Sequence, residues 1–327
     1  MGTWQIIWFI LVGVLLIGYT ILDGFDLGVG FWHLFTTGEK ERQSLLESIR
    51  PFWDGNEVWL LAGGGALFAA FPPVYATVFS GFYLAFLLVL FGLIIRVIGI
   101  DFRDKVDSPT WKQFFDYVFA IGSIIPSLLF GVALGNVIRG LPLSQQGDFV
   151  GTFFDLLNPY SLLCGVTGLF LLATHGGLYL MLKTENGLRQ KIKSWVTISW
   201  KIFLALFLIV TLWSLIAIQR DGQWFSTAVS LLSLTAIGGI YFFHAKGKSV
   251  QAFTCSCLNI VFIFIAVAGA LFPFMVRSIN NPELGLTIYN SSSSELTLKI
   301  MFLLTLIGMP LVGVYTFYIY RVFRKSI

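Results

Sequence analysis

The sequence predicts an all-α, polytopic membrane protein of nine transmembrane helices, and three observations carry that expectation. The first is composition. Of 327 residues, 57% are hydrophobic and 17% aromatic, while 12% are charged; a soluble domain carries about 25% charged residues. A soluble core could not hide this much hydrocarbon, so the expected solvent is lipid. The second is run length. A bilayer core of about 30 Å needs about 20 mostly apolar residues, and nine such runs lie near 5–31, 50–71, 78–100, 114–138, 159–182, 196–218, 224–244, 251–274 and 297–320. The third is the placement of basic residues. Lys40, Arg42, Arg50, Arg103, Lys105, Lys112, Lys183, Arg189, Lys191, Lys193, Lys246, Lys248, Arg321, Arg324 and Lys325 fall on the side reached after the odd-numbered runs. The other side holds Arg139, Arg220 and Arg277. Such a bias marks the basic side as cytoplasmic, with the N-terminus outside and the C-terminus inside.

The first run has no basic leader and no small-x-small cleavage site, and it is too long for a signal peptide, so it reads as a helix that stays. Its inner part carries Asp23 and Asp26 among Gly24, Gly28 and Gly30. No strand precedes these glycines, so they read as close-packing positions and not as a phosphate cradle. The second run, RPFWDGNEVWLLAGGGALFAAF from Arg50 to Phe71, opens with Asp54 and Glu57 between Trp53 and Trp59, then turns small and apolar. In water each glycine of such a helix costs about 0.8–1 kcal/mol relative to alanine. In a membrane, small residues let a neighbouring helix approach closely. The third run places Arg96 near its inner end.

The remaining runs are joined by short connections, apart from polar segments at 139–158 and 275–296. No Pro/Ser-rich linker interrupts them, so 1–327 reads as one integral membrane domain. Lys201 and Lys299 lie about one turn inside their runs and can snorkel to the surface. Cys164, Cys255 and Cys257 have neither metal-type nor disulfide spacing and read as small apolar residues. His33 and His244 lie at cytoplasmic helix ends; His175, beside Gly176 and Gly177, is the one deep histidine. A haem or metal site needs a second ligand across the bundle, so a packed, hydrogen-bonded role is expected for it. The formal charge of +4 carries little meaning until the charges are placed; the lipid bilayer is an expected partner and nucleic acid is not.

Four acids and one arginine therefore converge on the inner side of three consecutive helices. Asp23 with Asp26, and Asp54 with Glu57, are each three residues apart and share a helix face. A charge at membrane depth costs several kcal/mol unless paired or watered, so a functional role is the default reading. Two plainer readings stand beside it. Asp54 and Glu57 match a capping box at a helix start, although Pro51 as a first-turn residue would place both acids inside the helix. Asp23 and Asp26 would also serve as glue between helices by pairing with Arg96.

Several stretches carry a family resemblance: GYTILDGFDLGVG (Gly18–Gly30), PFWDGNEVWLLAGGGALFAAFP (Pro51–Pro72), RVIGIDFRDK (Arg96–Lys105), GSIIPSLLFGVALGNVIRG (Gly122–Gly140) and LNPYSLLCGVTGLFLLATHGGLYLMLKTENG (Leu157–Gly187). Together they resemble subunit II of cytochrome bd-type quinol oxidases, a group that includes cyanide-insensitive relatives. After about residue 195 mainly hydropathy agrees. The resemblance implies two four-helix bundles plus a peripheral helix in the plasma membrane of a prokaryote. It implies a heterodimer with subunit I, which holds haem b558, haem b595 and haem d, oxidises quinol and reduces dioxygen to water. No haem is expected in this chain itself, while a structural quinone and a small single-helix third subunit fit the family pattern. The WDGN motif implies that Asp54, framed by Trp53 and Asn56, belongs to a proton path from the cytoplasm. Extension of that path to Glu57, Asp23 and Asp26, with Arg96 in support, is inferred from topology. A proton-coupled secondary transporter would also bury acids and an arginine, but near the midplane and with an inverted repeat. A purely structural membrane scaffold is the other alternative.

Overall fold

In lipid every backbone amide must be satisfied within its own segment, so an apolar run of sufficient length folds as a helix. The computed structural model describes residues 2–218 and 223–323; Arg220, Arg324 and Lys325 lie outside the described residues. The helices are α1 (Thr3–His33), α2 (Glu39–Ile49), α3 (Trp53–Ala70), α4 (Pro72–Gly81), α5 (Tyr83–Phe102), α6 (Pro109–Arg139), α7 (Pro159–Lys183), α8 (Asn186–Ala217), α9 (Gln223–Ala245), α10 (Ser249–Leu271) and α11 (Glu295–Val322). Among the described residues eight are long and apolar enough to cross a membrane: α1, α5 with its continuation to Lys105, and α6 through α11. Helix α3 is not among the eight. Its polar first turns and its glycines dilute an otherwise apolar segment of 18 residues.

Three stretches depart most from expectation. The stretch after α1 is not a simple loop. Leu45, Leu46 and Ile49 recur on one face and are fully buried, so the charged remainder folds as the short amphipathic helix α2. The run expected at 78–100 is divided at Gly81–Phe82, and its first residues belong to the separate helix α4, which Pro72 and Pro73 start. Helix α8 begins near 186 and not at 196, since Ile192 and Val196 continue its buried stripe. The segments at 139–158 and 275–296 meet at the end opposite the basic loops. There Leu141 bridges to Ser278, and the strands β1 (Phe274–Val276) and β2 (Leu286–Thr287) pair antiparallel.

Helix α1 is the central element, packed against α3, α6 and α7. Its approach to α7 is backbone to backbone: a Cβ on Gly28 would lie 2.0 Å from the Leu172 carbonyl oxygen, and one on Gly176 would lie 2.5 Å from Gly28 itself. Helix α11 is the least integrated. It is held near its start by the Trp8 indole N–H, which donates to the Leu298 carbonyl at 2.9 Å, and at its end by Tyr320 and Phe323, which pack on Phe52. Between these pins Ile307, Leu311 and Val314 are exposed to whatever surrounds the chain. Gly28→Ala must push α1 away from α7. Such overpacking costs about 1–3 kcal/mol, and a lowered thermal unfolding midpoint in detergent is the expected outcome.

Candidate functional site

The acids of α1 and the arginine of α5 meet inside the bundle. Asp23, Asp26 and Arg96 are all fully buried. Arg96 Nη1 donates to both Asp23 carboxylate oxygens, at 2.8 and 3.0 Å, and Nη2 donates to Glu57 Oε2 at 3.2 Å. A buried guanidinium is tolerated only with such directed pairing, so three helices are committed to one point. Glu57 is the open edge of the cluster, with 24% of its side chain exposed.

Asp26 belongs to a second branch. Asn56 Nδ2 donates to Asp26 Oδ2 at 2.8 Å and to the Leu22 carbonyl at 3.2 Å. Asn56 Oδ1 accepts from the Tyr320 hydroxyl at 3.1 Å. Asp26 Oδ1 has no partner among the described residues.

Asp54 stands apart from both branches. Helix α3 begins at Trp53 with Phe52 as its N-cap and no side-chain cap hydrogen bond. The capping-box expectation therefore fails: the helix starts early enough to place Asp54 and Glu57 within it. Asp54 is exposed, and among the described residues it has no hydrogen bond or ion pair. It shares an exposed face of α3 with Val58, Leu61 and Phe68, where a Cβ on Gly64 or Gly65 would meet nothing. Trp53 is half-buried against the main core.

His175 is buried, with Nδ1 2.9 Å from Ser256 Oγ and Nε2 donating to the Ile21 carbonyl at 2.9 Å. Both ring nitrogens are engaged. Between α6, α7, α8, α9 and α10 lies a slot whose walls include Leu171, Phe203, Phe207 and Ile263 and the hydroxyls of Tyr160, Thr167, Ser214 and Ser233.

A second ionic cluster joins the basic end of the bundle. Asp116 of α6 accepts from His33 Nε2 at 2.6 Å, Arg42 Nη1 at 2.7 Å and Arg103 Nε at 2.6 Å. Arg103 is fully buried and also donates to Glu39 Oε2 at 2.8 Å. His33 is thus not merely a histidine at the interface; it ties α1 to α6. Sequence reasoning missed this cluster and Tyr320. The available signal for Asp116 was a lone acid within the apolar run 114–138. Tyr320 had none, because Tyr315 and Tyr318 precede it in the same aromatic-rich helix end.

A lipid-embedded helical bundle with a buried acid–arginine cluster, open at one helix, defines a multi-pass membrane protein whose ionisable groups sit where function is the default reading. The chain belongs to the cytochrome bd terminal oxidase subunit II family, whose profile matches residues 4–323. It is 36% identical to the probable cytochrome oxidase subunit 2 of Haemophilus influenzae, over 97% of this chain and 93% of that protein. It is 34% identical to the cytochrome bd-I ubiquinol oxidase subunit 2 of Escherichia coli K12, with the same coverage. The cytochrome bd ubiquinol oxidase subunit 2 of Bacillus subtilis is 35% identical, over 98% of this chain and 96% of that one. The fold matches a chain of the bd oxidase from Geobacillus thermodenitrificans with a TM-score of 0.81 and 15% identity, covering 98% of both.

Two outcomes follow for the Asp116 cluster. Asp116→Asn leaves the buried Arg103 charge short of its partner, a change that costs about 3–5 kcal/mol and is read as a lower unfolding midpoint in detergent. The Arg103 guanidinium holds the Glu39 carboxyl below its ordinary value of 4.5. A depressed folded value means that this contact stabilises above the unfolded value and is lost as pH falls through the folded one. The melting difference between wild type and Glu39→Gln should therefore shrink on acidification.

Proposed function

We propose that this chain is the haem-free subunit II of a bd-type complex that oxidises quinol and reduces dioxygen to water, and that it supplies protons from the cytoplasm. Subunit I would be its partner and would hold haem b558, haem b595 and haem d. In this reading α3 is the second of nine spans, the basic end faces the cytoplasm, and the chain lies in the plasma membrane of a bacterium.

The observation that carries the proton role is the buried cluster of Asp23, Arg96 and Glu57, which opens through Glu57 onto the face of α3 that bears Asp54. Asp54 has no partner among the described residues, on a face otherwise apolar and glycine-rich. A carboxylate there is costly against lipid, so subunit I is the fitting cover. A proton entering at Asp54 would pass to Glu57, one turn further along α3, and reach the carboxylates that Arg96 and Asn56 hold. Arg96 contributes by keeping the pocket polar and fixing the orientation of two acids.

A transporter reading has less support, because the acids lie toward one end of the bundle and in the first third of the chain. A scaffold reading is favoured by one feature, the buried Arg96–Asp23 pair, in which Nη1 meets both carboxylate oxygens and which by itself would join α1 to α5. A structural quinone would meet mostly apolar walls in the slot among α6–α10, with neutral hydroxyls such as those of Tyr160, Thr167 and Ser214 as its polar partners.

Asp54→Asn separates these readings. Oxidase turnover should fall on the order of 10²-fold, the lower end of what positioned proton transfer contributes, while the reduced-minus-oxidised haem spectrum of the purified complex stays normal. Full turnover in a correctly assembled variant would refute proton delivery, and loss of haem signals would indicate an assembly role.

A further inference from the structure

The polar network does not end within the first three spans. Helix α11, the last in the chain and exposed along most of its length, sends one side chain back into the acid pocket. The Tyr320 ring stacks on Phe52 at 4.5 Å between centroids and meets Phe25 edge-on at 6.4 Å. Its hydroxyl lies 3.1 Å from Asn56 Oδ1.

The chemistry of that contact fixes an amide. Asn56 has two N–H donors and one carbonyl oxygen. Its donors face two acceptors, Asp26 Oδ2 at 2.8 Å and the Leu22 carbonyl at 3.2 Å. Flipping the amide would point its oxygen at those two acceptors and its donors at Tyr320. A phenol can accept as well as donate, so the phenol alone does not forbid the flip; the paired acceptors do. With Tyr320 donating, every polar atom of Asn56 is satisfied in one orientation, and that orientation presents a donor to Asp26.

We propose that Tyr320 is a positioning residue for the proton-uptake acids, locking the Asn56 amide so that it holds Asp26 from a helix more than 260 residues away in the chain and outside the three spans that carry the acids. This inference rests on the proton-uptake reading and deepens it. It also gives α11 a role beyond packing: the end of the helix is pinned by the Phe52 stack and by Lys183, whose ammonium donates to the Phe323 carbonyl, so the phenol is delivered to a fixed point. The charged and titratable groups around this pocket are Tyr19, Asp23 and Asp26 from α1, Glu57 from α3, Arg96 from α5, Tyr179 from α7 and Cys257 from α10.

The test uses the intact oxidase complex. Tyr320→Phe keeps both ring contacts and removes only the hydroxyl. One net hydrogen bond corresponds to about a fivefold change in an equilibrium, so turnover should fall about fivefold and the pH profile of turnover should move. Haem spectra should stay at wild-type values, and the unfolding midpoint should fall by no more than the loss of one hydrogen bond. In an Asn56→Leu background the same substitution should have no further effect, because the two act in series. Wild-type turnover and pH profile in Tyr320→Phe, or an equal fivefold loss in the Asn56→Leu background, would overturn the proposal. Asp26→Asn distinguishes the levels. If it is slow while Tyr320→Phe is wild-type, only the Tyr320 inference fails; if Asp26→Asn turns over fully, the proton role of this acid fails with it.

Discussion

A guanidinium buried in hydrocarbon is the constraint on which this structure turns. Arg96 is fully buried and cannot shed its charge, so it must be met by carboxylates with directed hydrogen bonds. Asp23 from α1 and Glu57 from α3 meet it. Three helices are thereby committed to one depth and one rotation. The close approach of α1 to α7 at Gly28 and Gly176 then fixes the rest of the core around the same helix.

The two ionic clusters differ in kind. Asp116 is surrounded by His33, Arg42 and Arg103, and its oxygens are saturated. It joins helix ends at the basic side of the bundle and offers little freedom to exchange a proton. The Asp23–Asp26 cluster is less complete: Asp26 Oδ1 has no partner among the described residues, and Glu57 is partly open. An incompletely satisfied acid pocket with an open edge can take up and release a proton, whereas a saturated one holds a fold together. That contrast, within one chain and one solvent, is the physical basis for proposing transfer at the first cluster and anchoring at the second.

The face of α3 completes the picture from the other side. Asp54, Val58, Leu61 and Phe68 are exposed together, with space over Gly64 and Gly65. Lipid would leave the carboxylate without a partner. A protein neighbour that packs closely on the glycines can supply one. Membership of a family of oxidase subunits is consistent with such a neighbour.

The sequence by itself determined the all-α membrane class, because composition and run length leave lipid as the solvent and lipid leaves the helix as the segment structure. It also singled out the acids and Arg96, since a charge within an apolar run is visible without coordinates. Tertiary structure alone decided which of these charges meet. It joined Asp23 and Glu57 to Arg96, gave Asp26 to Asn56, and left Asp54 on an exposed face. It revealed Tyr320 and the Asp116 cluster, whose partners lie far apart in the chain. The physical reason is that helical periodicity fixes which side chains share a face, but not which face of a distant helix arrives opposite. That is set by where backbones approach at glycines and where a buried charge requires a partner.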